Sequence, residues 1–190
     1  MTTYPLPENT PLKTLDSHYV WQSRWYSVRQ DTVQWPDGSV GPYNVVEKRP
    51  SVFIVPMTTE GDIVLIQNYR HTLGKWCWEM PAGGIELEQT PLQAAQAELL
   101  QEVGGTSDDW HFLFAAPTMN GIGDNIGHYF VAKNVQLGET QHESTEVIRV
   151  YTVPLDDALA MARSGAMQDV LTIAGLLAAE PLLRMESACR

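Results

Sequence analysis

The chain changes its hydrophobic period sharply between residues 52–67 and residues 90–104. Val52 to Pro56 and Ile63 to Gln67 are short, mostly apolar runs joined through Glu60-Gly61-Asp62, which reads as two central strands and a loop. From Thr90 onward the period is helical. Leu92, Leu99 and Val103 mark one apolar stripe, with Ala95 filling the remaining turn. Thr90 suits the N-cap, Pro91 the first helical position, and Gln93 completes a capping box. Gly104 and Gly105 supply a left-handed stop, so the pattern predicts a helix over 91–103.

The remaining pattern fills in around these elements. Residues 1–16, rich in Pro, Thr and charge, read as a loose arm. Tyr19 to Val28, Gln30 to Trp35 and Gly41 to Lys48 are strand-like, with Pro36-Asp37-Gly38 as a turn, and predict a small antiparallel sheet. Residues 71–89 read as a loop, 110–116 as a strand, 120–125 as a Gly-rich loop and 128–132 as a strand. A polar loop, 134–145, leads to an alternating strand from Val147 to Val153. Residues 155–163 read as a helix closed by Ser164-Gly165. A last helix, 168–179, is apolar at Val170, Leu171, Ala174, Leu177 and Ala178. This order implies an α/β (α+β) fold, a mixed sheet with helices on both faces.

Composition narrows the function classes. The 190 residues make one compact domain or a domain with a small appendage, and 44% hydrophobic content suffices for a core. We divide the chain at residue 48: an arm and β subdomain over 1–48, and the main domain over 49–190. The net charge of −11 argues against nucleic acid and anionic membranes as partners. Two cysteines, Cys77 and Cys189, make no disulfide framework. Cys77, between two tryptophans, is expected in or near the core. With no signal-peptide pattern and no membrane-length apolar run, the expected location is cytoplasmic.

The chemistry begins on the predicted helix. Glu98 and Glu102 stand i, i+4, so both carboxylates share a face beside the buried stripe. Like charges so placed repel, and a hard divalent cation such as Mg²⁺ would hold them together. Such pairs are common on solvated faces, so the loop before the helix decides the matter. Trp78-Glu79-Met80-Pro81-Ala82-Gly83-Gly84-Ile85-Glu86 is an unusual lead-in to a capped acidic helix.

This segment resembles the Nudix box, G-x5-E-x7-R-E-U-x-E-E-x-G-U with U aliphatic. The surrounding Pro81-Ala82-Gly83-Gly84 string looks like the ADP-ribose and ADP-sugar pyrophosphatase branch. Counting from Gly83, Glu98, Glu102 and Gly104 match the box. Gln89 stands where the first Glu is usual, Ala97 where Arg is usual, Gln101 at the first of the paired Glu positions, and Gly105 at an aliphatic one. The resemblance extends from about Lys13 to Glu180 through Ser23-Arg24-Trp25-Tyr26, Gln67-Asn68-Tyr69-Arg70, Pro154-Leu155 and Ser164-Gly165. It implies a Nudix α/β/α sandwich with a mixed sheet and a small N-terminal antiparallel subdomain.

The resemblance also implies roles. Glu98, Glu102 and the backbone carbonyl of Ala82 would hold Mg²⁺ or Mn²⁺. The base that deprotonates water would be a Glu on the loop 134–146, with Glu146 first, Glu143 second, and Glu139 and His142 also present. Trp25 and Tyr43 match positions that stack on the base, with a partner chain contributing, so a homodimer is implied. Trp21, Trp35 and Trp110 are expected in core or dimer interface. Glu79 is expected to tether backbone near Ala82, and Glu86 stands as an outer acid or a plain surface residue. Arg70, at a strand end, suits either phosphate oxygens or a salt bridge with a nearby Glu.

Two function classes follow. The first is metal-dependent hydrolysis of the diphosphate bond of ADP-ribose or a related nucleoside diphosphate sugar, giving a nucleoside monophosphate and a sugar phosphate. The second is a Nudix-fold nucleotide-sugar binder of little or no activity, suggested by Gln89, Ala97 and Gln101.

Overall fold

A computed structural model describes residues 10–141 and 147–187. The chain divides into two compact units, residues 1–48 with 119–125, and residues 49–118 with 126–190.

In the first unit, β1 (Lys13–Gln22), β2 (Ser27–Gln34) and β3 (Val40–Glu47) form an antiparallel sheet in the order β1-β2-β3. The strand β1 begins at Lys13, inside the stretch expected to be a loose arm. Its pairing with β2, from Lys13↔Gln34 to Gln22↔Ser27, fixes it where its own pattern carries no alternation. The break between β1 and β2 lies at residues 23–26, where the Ser23 hydroxyl accepts from the N–H groups of Trp25 and Tyr26. At the other hairpin, Gly38 takes φ +86° and its N–H donates to the Trp35 carbonyl at 2.9 Å, as the Pro-Asp-Gly turn predicts. Residues 119–125 join this unit through the Val46 N–H, which donates to the Ile122 carbonyl at 2.7 Å.

The second unit is an α/β/α sandwich. Its central strands are β4 (Ser51–Thr58) and β5 (Asp62–Arg70), followed by β6 (Lys75–Glu79) and β7 (Ala82–Gly84). Then come α1 (Pro91–Val103), β8 (Gly105–Thr106), β9 (Asp109–Pro117), β10 (Ile126–Leu137), β11 (Ile148–Pro154), α2 (Leu155–Ser164) and α3 (Val170–Ser187). Among the described residues the sheet runs β11-β5-β4-β10-β8, with β6 on β5, β7 on β4 and β9 on β10. Only β4 and β10 pair in parallel, so the sheet is mixed.

Alternation along the strands builds two cores. Val52, Ile54, Val64 and Ile66 pack with Ala94, Ala95, Leu99 and Val103 of α1. Phe53, Val55, Met57, Ile63 and Leu65 pack with residues of α2 and α3 on the other face. Strand β4 is buried on both sides over all eight residues, which is why its pattern is continuous rather than alternating.

Local signals placed α1 and α2 well, but three expectations need correction. The stretch 71–89 is not all loop; β6 and β7 lie within it, paired to long strands that a pattern read from one segment cannot supply. In α1, Leu92 is exposed and Ala94 is buried, so the apolar face is turned from the stripe first drawn. In α3 the buried face is Thr172, Gly175, Leu176, Ala179 and Leu183, while Val170 and Leu177 are exposed. That helix is apolar nearly all round and runs past Pro181, so periodicity alone did not select its inward face. No helix among the described residues is long and apolar enough to cross a membrane.

Candidate functional site

The site is built where α1 meets the backbone of residues 79–84. Thr90 caps α1 reciprocally: its hydroxyl accepts from the Gln93 N–H at 3.2 Å, and its own N–H donates to the Gln93 side chain at 2.9 Å. Gly104 ends the helix at φ 65°, with its N–H returned to the Leu100 carbonyl. Gly105 serves packing instead; a Cβ there would come 3.0 Å from Leu99 Cγ and 3.0 Å from Val135 Cγ1. An aliphatic residue in that place has no room without movement.

The caps fix the ends of α1, and burial of Ala94, Ala95, Leu99 and Val103 against the sheet sets its rotation, which aims both acids at the preceding loop. Glu102 is buried, 6% exposed, and its Oε2 accepts from the Ala82 N–H at 2.8 Å. Glu98, one turn earlier, lays its carboxylate against Gly83 so closely that a Cβ on that glycine would overlap it. Gly83 is therefore required for a close approach rather than for an unusual φ. Thus Glu98, Glu102 and Ala82, predicted as metal ligands, are brought together. Their oxygens are the hard donors that Mg²⁺ or Mn²⁺ favours. Among the described residues, no group of three or more His, Cys, Asp or Glu side chains gathers as a metal cage. Two carboxylates and a carbonyl would leave positions on such a cation for water, the usual condition of Mg²⁺.

Arg70 lies beside this pair in a salt bridge to Glu79. Its Nε donates to Glu79 Oε1 at 2.7 Å and a second N–H donates to Oε2. The Glu79 side chain is buried while that of Arg70 is half-exposed. The Glu79 hydrogen bond raises the Arg70 pKa above its ordinary value, with Asp169 and Glu102 adding their negative field. Glu79 thus orients Arg70, and the tether on Ala82 comes from Glu102 instead. Glu86 pairs with Arg49 at the surface, and Gln89 accepts from the Glu86 N–H at 3.1 Å, so that glutamine clasps the loop. Cys77 is buried, 2% exposed.

The first unit holds Trp25 and Tyr43. Trp25 is 65% exposed in the β1–β2 turn, with the Arg24 guanidinium 4.1 Å from its ring centroid. Tyr43 is also exposed, on β3 opposite Asp31. Trp21 is 58% exposed, whereas Trp110 packs beside the α1 core. Glu143 and Glu146, predicted as bases, and His142 lie outside the described residues. Glu139 lies just beyond Gly138, whose N–H donates to the Gly104 carbonyl, and the Gln141 N–H donates to the Gln101 carbonyl at 2.9 Å.

The sequence reading missed Asp169 and Thr172. Thr172 Oγ1 accepts from the Met80 N–H at 3.0 Å, and Asp169 Oδ2 accepts from both the N–H and the hydroxyl of Thr172. Asp169 at an N-cap position was a legible signal. The reach of Thr172 to residue 80 was not.

Comparison with known proteins bears on the family. The model of the NUDIX domain matches residues 47–171, and that of the nucleoside diphosphate sugar hydrolase N-terminal domain matches residues 12–46. An ADP-ribose pyrophosphatase of Mycobacterium tuberculosis is 30% identical over 87% of this chain and 82% of its own length. A methanol dehydrogenase activator of Bacillus methanolicus is 28% identical over 85% of this chain and 88% of its own. A crystal structure of an ADP compounds hydrolase shares the fold, with a TM-score of 0.82 and 19% identity, covering 95% of this chain and 98% of that one. With the capped acidic helix seated on the Ala82-Gly83 backbone and the family match spanning most of its length, the chain belongs to the Nudix hydrolase family, in the ADP-ribose and nucleoside diphosphate sugar branch.

Proposed function

We propose that this protein hydrolyses the diphosphate bond of ADP-ribose or a related nucleoside diphosphate sugar, using Mg²⁺ or Mn²⁺ and releasing a nucleoside monophosphate and a sugar phosphate. The observation that carries the reading is the convergence of Glu98 and Glu102 on the Ala82-Gly83 backbone. Glu98, Glu102 and the Ala82 carbonyl would hold the cation. When bound, it neutralises diphosphate oxygens and makes a bound water more acidic.

The remaining work falls to the chain's own residues. Glu79 occupies one edge of the Arg70 fork, which leaves further N–H donors on a half-exposed side chain for phosphate oxygens. Trp25 and Tyr43 offer exposed aromatic surface for the base. Glu146, with Glu143 second, is assigned the role of base on the resemblance of its segment to the family. The exposed strand β1, carrying Leu15, Tyr19, Val20 and Trp21, supports a homodimer.

The box has lost two carboxylates and an arginine at Gln89, Gln101 and Ala97, which implies fewer or weaker metal sites than a full box provides. The same loss favours the second reading, a nucleotide-sugar binder of little activity. One experiment separates them: turnover of ADP-ribose and a panel of nucleoside diphosphate sugars with Mg²⁺ or Mn²⁺, then with excess chelator. Metal-dependent release of AMP from ADP-ribose supports the hydrolase. Binding without turnover across the panel rejects it in favour of the binder.

A further inference from the structure

We propose that Thr172 is a positioning residue for the metal site: held by Asp169, its buried hydroxyl fixes the Met80 N–H and thereby the backbone that presents the Ala82 carbonyl. This rests on the metal-dependent reading above.

The direction of each bond is determined by the chemistry of the groups. The Thr172 hydroxyl donates to Asp169 Oδ2 at 2.6 Å, so its proton is committed and its oxygen lone pairs face the Met80 N–H at 3.0 Å. Asp169 Oδ2 also accepts from the Thr172 N–H at 2.9 Å, as an N-cap does. Thr172 is wholly buried, so no solvent competes for these bonds. One turn along the same face of α3 stands Gly175. A Cβ there would come 2.6 Å from Met80 Cε and 3.2 Å from its sulfur, so this glycine admits the Met80 side chain, which is 1% exposed. Met80 is thus gripped at its N–H and at its side chain by α3.

The next two residues are held from other directions. The Pro81 carbonyl accepts from the Ile54 N–H of β4 at 3.0 Å, and the Ala82 N–H donates to Glu102 of α1. Three consecutive residues are therefore bonded to α3, the central sheet and α1 in turn. Removing the α3 bond frees the end from which the Ala82 peptide is oriented. Metal affinity then falls even though no ligand has been touched, as it does when the outer partners of a metal site are lost.

The test compares four metal-free proteins: wild type, Thr172→Val, Thr172→Ser and Leu183→Ala. Val keeps the shape and removes the hydroxyl, whereas Ser keeps the hydroxyl. Leu183, buried on the same helix eleven residues beyond Thr172, controls for general loosening of α3. Mn²⁺ binding is measured directly by calorimetry and by the loss of the free-ion spin signal, and amide exchange is followed over residues 80–84. The expected result is a roughly tenfold weaker Mn²⁺ affinity for Thr172→Val, near-wild-type affinity for Thr172→Ser and Leu183→Ala, and faster exchange at 80–84 in Thr172→Val alone. Equal affinity in Thr172→Val and wild type overturns the inference while leaving the metal reading intact. So does an equal loss in Thr172→Val and Leu183→Ala. Absence of Mn²⁺ binding by wild type overturns the metal reading itself, and exchange at 80–84 then reports on the tether alone.

Discussion

The backbone around Ala82 and the sheet that carries Trp25 and Tyr43 are built on opposite principles. Around Ala82, consecutive peptide groups are each bonded to a different layer of a packed sandwich, and the carboxylate of Glu102 is almost wholly buried. In the three-stranded sheet, every residue of β1 is exposed, and Val33 is the one apolar side chain on its strands that is buried. Its cohesion comes from backbone ladders and from Arg29, whose guanidinium bridges Asp31 and Glu47. The difference teaches where precision is needed. The proposed chemistry at a diphosphate would tolerate little displacement of a metal ligand, and the residues proposed for it sit on elements with a core of their own. Stacking on a flat base, the role proposed for Trp25, depends on area, and an exposed aromatic side chain on a turn offers it.

If this contrast holds, damage to the packed site should abolish chemistry and damage to the sheet should weaken binding. The largest effect is expected from Glu98→Gln. Loss of a ligand that stabilises charge by several kcal/mol should lower kcat by about three orders of magnitude, with little change in Tm. Unaltered turnover in a steady-state assay would remove Glu98 from the metal site. Next is Gly83→Ala, which pushes on the Glu98 carboxylate without altering any ligand. A shift of about 1 Å should cost roughly a hundredfold in turnover. A wild-type rate would mean that the close approach of Gly83 and Glu98 has no functional weight.

A smaller effect is expected in the sheet. Trp25→Ala should raise KM about fivefold and leave kcat nearly unchanged, as a lost stacking contact would. An equal fall in kcat would place Trp25 in the chemistry and break the contrast. The smallest effect concerns acid. Hydrogen bonds from Arg29 and then Ser17 hold the Asp31 carboxyl below its ordinary pKa. Its contribution to stability is therefore present above the ordinary carboxylate range and lost as pH falls through the lower folded value. Melting curves of the wild type and Asp31→Asn should differ near neutrality and converge as the pH falls below the ordinary carboxylate range and through the lower folded value. A gap that persists at the acid end would show that the ion pair is not its source.

The legibility of these regions in the sequence follows the same physics. The helix over 91–103 was read to the residue, because Thr90, Pro91, Gln93 and Gly104 act within one turn of where they stand. The strands at 52–56 and 63–67 were read from apolar runs whose hydrophobic residues are buried on both faces. The acidic pair was legible as well, since Glu98 and Glu102 share a face by helical geometry alone. The strand β6 was not, because Trp76, Cys77 and Trp78 become a strand through pairing with β5. The inward face of α3 was not, because a helix apolar on several sides takes its rotation from the sheet it meets. Thr172 was invisible for the same reason: its partner is 92 residues away.

The sequence by itself determined the acidic helix, its caps, the two central strands and the resemblance that placed the chain in its family. Each depends on spacing within a few residues, where backbone geometry fixes which side chains meet. Only the tertiary structure decided that Glu102 binds the Ala82 N–H, that Glu79 orients Arg70, and that α3 grips Met80 through Thr172 and Gly175. Those pairings join segments brought together by burial of two apolar cores, and burial constrains position without naming in the local pattern which polar groups will meet.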